Sequence, residues 1–351
     1  MGYRYIGSKD KLSDIIISEI LKINSKSKHI IDLMAGTGLF SLALKERGFI
    51  VSALDVMTYS YHHLNVHLLL NKPPNFTNFV FNEEDSTDRY QMVLNHLNLL
   101  EPLKGYFYKE FSPEGTPSNT QKPRKYFTSE NASKIDAIRS EIKKLKEQNL
   151  INDKEHSLLL HDLIMATNDI ANIAGTYGHY LSKFVKRAEA PIHLKKSVLS
   201  GKGNINGHAV YLGYAEDLAV RLKADICYID PPYIKRQYAA NYHILETIAR
   251  EDEPEAIGDS GLRPWRDQYS NFCSKVKVRD SFHKIIEGIN TKHFLISYSE
   301  DGLIPINELI SFLSQYGKVS YKNIEYKRFK SNDSKKKPIL HEYLIHLTKI
   351  S

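Results

Sequence analysis

Four short apolar runs punctuate the chain: His29-Ile30-Ile31-Asp32-Leu33-Met34, Phe49-Ile50-Val51-Ser52-Ala53-Leu54-Asp55, Ala224-Asp225-Ile226-Cys227-Tyr228-Ile229 and His293-Phe294-Leu295-Ile296-Ser297-Tyr298. Runs this short and this continuous predict strands buried on both faces, as in a parallel sheet. After the first run, Ala35-Gly36-Thr37-Gly38 reads as a tight turn. Leu39 to Arg47 carries an apolar helical face, and Gly48 suits its C-cap. The second run ends in Asp55, which completes a βαβ unit. His208 to Tyr214 predicts another strand, and Lys318 to Tyr326 with Ile339 to Leu347 a terminal hairpin. The pattern predicts an α/β fold: a mostly parallel sheet closed by an antiparallel hairpin.

The middle of the chain follows a different period. Pro113 to Lys125 is rich in Pro, Ser, Thr, Gly and Lys and reads as an irregular loop. From Ser133 to Leu150, Ile135, Ile138, Ile142 and Leu145 share one face of a helix. His156 to Ala174 predicts a second, more buried helix, and Leu181 to Gly207 is rich in Lys around a Gly201-Lys202-Gly203-Asn204 turn. Residues 83–208 therefore read as an inserted, largely helical module within a discontinuous core of 1–82 and 209–351. The length of 351 residues agrees, being too long for one compact core.

Composition narrows the class. Hydrophobic content of 42% and charged content of 25% are globular values. No run of about 18 apolar residues predicts a membrane span, and the start, Met1-Gly2-Tyr3-Arg4-Tyr5, lacks a signal-peptide core. Cys227 and Cys273 are the only cysteines, and Cys227 falls in a predicted core strand, so no disulfide and a reducing cytosol are expected. His62 and His63 are adjacent, which is poor chelating geometry on a helix; surface or packing roles and no metal are expected. A formal charge of +7 permits a polyanionic partner without requiring one. The six basic residues of Lys327 to Lys337 read equally as a solvated loop or a phosphate contact.

Two places carry chemistry. A strand, a glycine turn and a helix create a crevice at the carboxyl end of a sheet, and Asp55 is placed there to accept ribose hydroxyls. The turn is shorter than GxGxxG and no GxxxxGK[ST] run exists, which disfavours NAD and ATP. Asp32 would hold the N–H groups of the turn or meet a cationic ligand. Asp217 is either another acid on this edge or an N-cap. The second place is Asp230-Pro231-Pro232-Tyr233, directly after a strand. The prolines fix φ and lack N–H, so nearby carbonyls can face a ligand. An anion, an aimed carbonyl and a stacking ring suit a planar heterocycle with an amino group.

Together, Asp32-Leu33-Met34-Ala35-Gly36-Thr37-Gly38 and Asp230-Pro231-Pro232-Tyr233 resemble the S-adenosylmethionine-dependent DNA adenine methyltransferases. Tyr5-Ile6-Gly7-Ser8-Lys9 looks like the first cofactor motif of that family, and the motif order is similar to its alpha group. Tyr126 to Ala132, Ala174 to Gly178, Arg236 to Ala249, Ser297-Tyr298-Ser299 and Arg328 to Ser331 also resemble family blocks. The resemblance implies a Rossmann-like methyltransferase sheet with an inserted target-recognition domain at 83–208. It implies that Asp32, Ala35, Gly36, Thr37, Gly38, Asp55 and Asp217 hold S-adenosylmethionine and that Tyr5, Gly7 and Lys9 cover it. Asp230, Pro231, Pro232 and Tyr233 would hold a flipped adenine. Ile234-Lys235 departs from the small polar residue common in relatives. Arg236, Gln237 and Asn241 would support the base pocket or fill the vacated stack, and Arg328 and Lys330 would touch DNA. The implied partners are duplex DNA and a cognate restriction endonuclease, in a prokaryotic cytosol. An RNA methyltransferase and a silent DNA-binding module are the competing readings.

Overall fold

A computed structural model describes Lys9 and residues 12–79, 88–120, 122–327 and 339–350. The chain forms two compact units. One comprises Gly7–Val56, Lys202–Gln237 and Ser270–Ser351; the other holds Met57–Gly201 and Tyr238–Tyr269.

The first unit is built on a seven-stranded sheet: β1 (His29–Leu33), β2 (Ile50–Asp55), β3 (Ala209–Leu212), β4 (Ile226–Ile229), β5 (His293–Ser299), β6 (Gly317–Lys327) and β7 (Ile339–Lys349). Their order is β3-β2-β1-β4-β5-β7-β6. The five strands from β3 to β5 run parallel, and β7 pairs antiparallel with both β5 and β6. The expected α/β sheet with a terminal hairpin is therefore present. Ile30, Ile31, Leu33, Val51, Ile226, Cys227, Ile229, Phe294 and Ile296 are buried, as near-continuous apolar runs require. Cys227 and Cys273 are both unbridged and buried.

The helices, in chain order, are α1 (Ser13–Ile23), α2 (Leu39–Glu46), α3 (Thr58–Leu69), α4 (Arg89–Leu99), α5 (Tyr106–Phe111), α6 (Ser129–Glu147) and α7 (Asp153–Asp169). There follow α8 (Ala215–Leu218), α9 (Tyr238–Asn241), α10 (His243–Arg250), α11 (Val278–Gly288) and α12 (Ile306–Leu313). Helices α1, α2, α8, α11 and α12 belong to the sheet unit; the other seven form the helical unit. Phe282, Ile285 and Ile286 of α11 and Leu309 and Leu313 of α12 complete one core cluster with β1, β4 and β5.

In the helical unit, α6 starts four residues before the predicted Ser133, because the Thr128 side chain accepts the Asn131 N–H at 3.2 Å and caps it there. A reciprocal capping box between Asn152 and Glu155 starts α7. Helix α3 buries polar residues against α7. The His62 ring meets Ser157 Oγ at 3.1 Å, and His63 Nδ1 lies 2.7 Å from His161 Nδ1. Both histidines thus pack within the fold. Tyr126, Tyr177 and His243 form a further buried cluster, with the Tyr177 carbonyl accepting the Tyr126 hydroxyl (2.8 Å) and facing His243 Nε2 (2.9 Å). The blocks that contain these residues thus meet inside one unit. That unit is larger than the predicted 83–208 insertion, since α3 and α10 fold with it.

Candidate active site

Strand register brings the acids together. Leu33 pairs with both Leu54 and Ile229, so Asp55 and Asp230, each one residue further on, flank the exit of β1. Strands β2 and β4 leave β1 on opposite sides, which makes this exit the topological switch point where α/β sheets bind ligands. The chain turns sharply there: Met34 (φ 67°), Gly36 (φ 56°) and Gly38 (φ 76°) all adopt left-handed backbone. That conformation is natural for glycine and uncommon for methionine. Asp55, not Asp32, holds the turn, its Oδ2 accepting the Gly36 N–H at 2.8 Å. Asp32 accepts the Ser41 hydroxyl at 2.5 Å. Burial pushes Asp32 up to about 7, with Ser41 opposing and Asp230 and Asp55 reinforcing the shift. Ala35 is half-buried and Thr37 buried in the same turn.

On the other side of β1, Asp230 leaves β4 with 19% of its side chain exposed, so a ligand can reach it. Lys9 Nζ lies 3.2 Å from Asp230 Oδ1 and 2.6 Å from Glu342 Oε1. Burial alone would lower the Lys9 ammonium, but Asp230 and Glu342 raise it well above its usual value. For Asp230, burial pushes the carboxyl up to about 7; Lys9 opposes this and Glu342 adds to it. Tyr233, half-buried, presents its ring 5.5 Å from Lys9 Nζ and edge-on to Tyr298 at 6.0 Å. Its carbonyl accepts the Leu303 N–H at 2.9 Å, which fixes the shelf. Pro231 is buried and Pro232 half-buried. Beneath them, the Tyr228 hydroxyl donates to Ser297 Oγ at 2.9 Å.

The other predicted residues scatter. Asp217 is exposed inside α8 rather than at its N-cap, which is Tyr214. Arg236 is exposed. Gln237 is buried and its amide is committed at both ends to Ser270, donating to the carbonyl (3.1 Å) and accepting from the N–H (2.8 Å). Asn241 lies in the helical unit, where its carbonyl accepts the Tyr177 N–H at 2.8 Å. Tyr5, Gly7, Arg328 and Lys330 lie outside the described residues. Among the described residues no group of three or more His, Cys, Asp or Glu is arranged to hold a metal ion. No helix there is long and apolar enough to cross a membrane. Sequence reasoning missed Glu342, a buried acid on the outer hairpin. Its alternation in a strand gave the only available signal.

Residues 5–312 match the family model for D12 class N6 adenine-specific DNA methyltransferases. The chain belongs to this family. It is 37% identical to the type II methyltransferase M.FokI of Planomicrobium okeanokoites, over 99% of this chain and 52% of that protein. To the modification methylase StsI of Streptococcus sanguinis it is 31% identical, over 98% of this chain and 51% of the relative. The chain thus spans about half the length of these two relatives. With the type II methyltransferase M.NlaIII of Neisseria lactamica it shares 33% identity over 93% of this chain and 92% of that protein.

Proposed function

We propose that this D12-family chain is a site-specific DNA methyltransferase. It moves a methyl group from S-adenosylmethionine to the exocyclic amino group of a flipped adenine in duplex DNA. The observation that carries this reading is the pairing of a reachable carboxylate, Asp230, with the Tyr233 ring beside the β1 switch point.

The donor set suits the cofactor. Asp32, Asp55 and Asp230 gather at the carboxyl ends of three adjacent strands, with Lys9 as their nearby cation. Such a surplus of negative charge complements a ligand with sulfonium and ammonium groups. The left-handed glycines let the backbone approach closely. Asp32, Ala35, Gly36, Thr37, Gly38, Asp55 and Asp217 are the proposed holders, with Tyr5, Gly7 and Lys9 covering them. When bound, S-adenosylmethionine supplies an electrophilic methyl group.

The protein prepares the acceptor nitrogen. An adenine amino group is a poor nucleophile because its lone pair is delocalised into the ring. Asp230 and the carbonyl of Pro231 each accept one N–H, which frees the lone pair. Positioning of this kind supplies on the order of 7–11 kcal/mol in favourable cases. Extruding the base costs a few kcal/mol, and stacking on Tyr233, worth about 1–3 kcal/mol, offsets part of it. Asp230 need not be a strong base, because the proton is lost readily once the nitrogen is methylated.

Residues 83–208 are the proposed target-recognition segment. Arg236, Gln237, Asn241, Arg328 and Lys330 are the proposed contacts to DNA or supports of the base pocket. The names of the relatives support a role as the modification half of a restriction system, protecting cytosolic DNA from a cognate endonuclease. Modification-sensitive sequencing of host DNA after expression of the wild type and of Asp230→Ala tests the reading. Methyl-adenine at one short sequence, absent in the variant while S-adenosylmethionine binding persists, is the expected result. An unmodified genome with the wild type, or modification that survives in Asp230→Ala, overturns it.

A further inference from the structure

Glu342 belongs to no part of the proposed cofactor or base site, yet it is the shorter partner of Lys9. Its Oε1 lies 2.6 Å from Nζ, against 3.2 Å for Asp230 Oδ1. It reaches this place through the hairpin: Glu342 on β7 pairs with Ser299 at the carboxyl end of β5, the same sheet edge at which Asp230 leaves β4. Only 1% of the residue is exposed, and Oε2 is buried with no hydrogen-bond partner among the described residues. Among the described residues the charge of this carboxylate is therefore committed to Lys9 and serves no second bond. Burying an acid beside another acid costs stability, so filling space does not account for it.

We propose that Glu342 is a positioning residue that draws the Lys9 ammonium off Asp230 and so leaves Asp230 free to accept the target amino group. The role rests on the adenine-methylation reading above. Without Glu342, Lys9 would turn wholly to Asp230 and compete for the lone pairs that the base needs. Among the described residues, the charged and titratable groups that face Lys9 and Asp230 are Glu342 on β7, Tyr228 on β4, Tyr233 beyond it and Asp32 on β1, with Asp55 on β2 beyond Asp32. Of these, Glu342 is the acid that touches Lys9 without lying on the base shelf.

Two readouts on the full chain test this. The first is carboxylate NMR of the cofactor-free protein carrying ¹³C-labelled aspartate, with the Asp230 signal assigned by its loss in Asp230→Asn. Removing the neighbouring negative charge in Glu342→Gln lowers the Asp230 midpoint by about one pH unit, and Glu342→Asp, which retreats from Lys9, gives a smaller shift the same way. The second is methyl transfer to duplex DNA across pH. In Glu342→Gln the plateau kcat falls by about tenfold, KM for DNA is unchanged and the acid limb moves to lower pH. Glu342→Asp recovers part of kcat. An Asp230 midpoint that stays in place or rises in both variants overturns the proposal, as does an unchanged kcat plateau in Glu342→Gln. A wild type that transfers no methyl group defeats the functional reading instead, while the NMR midpoints still judge how Lys9 is shared.

Discussion

Asp32, one of the proposed cofactor holders, is a residue whose charge weighs against the fold. It is buried, accepts the Ser41 hydroxyl and lies near two other acids, and its carboxyl is raised to about 7. A carboxylate whose folded-state pKa lies above the unfolded one binds its proton more tightly in the fold. Stability is then lost as pH rises from the unfolded value of about 3.9 through about 7. Asp32→Asn keeps an acceptor for Ser41 and removes the charge. Its melting temperature should exceed that of the wild type by more at pH 8 than at pH 5, and match it only below the unfolded value of about 3.9. Calorimetric scans at the two pH values check this; an equal difference at both would mean that charge is not what Asp32 costs. Asp230 follows the same sign, so a proton on it below neutral pH weakens the acceptor on which the proposed methylation depends.

At the scale of elements, what was legible depended on whether the partner of an element lay in its own pattern. Strands β1, β2, β4 and β5 are buried on both faces, and their apolar runs announced them within a residue or two. Helix α3 could not be read this way, because Ser60, His62, His63 and Asn65 are buried polar residues, the last three hydrogen-bonded to α7, which erases any amphipathic stripe. Its N-terminus depends on an even more distant group. Glu246, on α10 and fully buried, accepts the N–H of Thr58 (3.1 Å) and of Tyr59 (3.2 Å). The same carboxylate accepts from Arg250 Nε and Gln268 Nε2, each at 2.7 Å. Glu246→Ala strands these donors and leaves part of the Arg250 charge unpaired, and breaking a buried ion pair from one side costs about 3–5 kcal/mol. Urea unfolding followed by far-ultraviolet circular dichroism should show that loss. A cost below about 1 kcal/mol, the scale of an ordinary surface residue, would deny Glu246 its role as the clamp on α3.

Across the whole molecule, the chain passes between the two units several times, and neither is a continuous stretch of sequence. For this reason sequence reasoning located the acids near the shelf but missed Glu342: strand exits are local signals, whereas the approach of β7 to β4 through β5 is a product of topology. The same discontinuity governs folding. The inserted stretch Met57–Gly201 resembles an independent domain, yet its helices are completed by Tyr238–Tyr269. That later segment brings the Glu246 carboxylate to α3 and the His243 ring to the Tyr177 carbonyl. It also brings the Asp252 carbonyl to Arg139 of α6 at 2.6 Å, and the Ala256 and Gly258 carbonyls to the buried Arg124 guanidinium at 3.2 and 2.9 Å. Expressed alone, Met57–Gly201 would leave Arg124 and Arg139 short of acceptors and the start of α3 uncapped, a set of losses larger than the few kcal/mol by which such a unit is stable. Its amide proton spectrum should be poorly dispersed, and addition of a Tyr238–Tyr269 peptide should disperse it. A well-dispersed spectrum from Met57–Gly201 alone would mean that the helical unit carries its own core and that the later segment only docks on it.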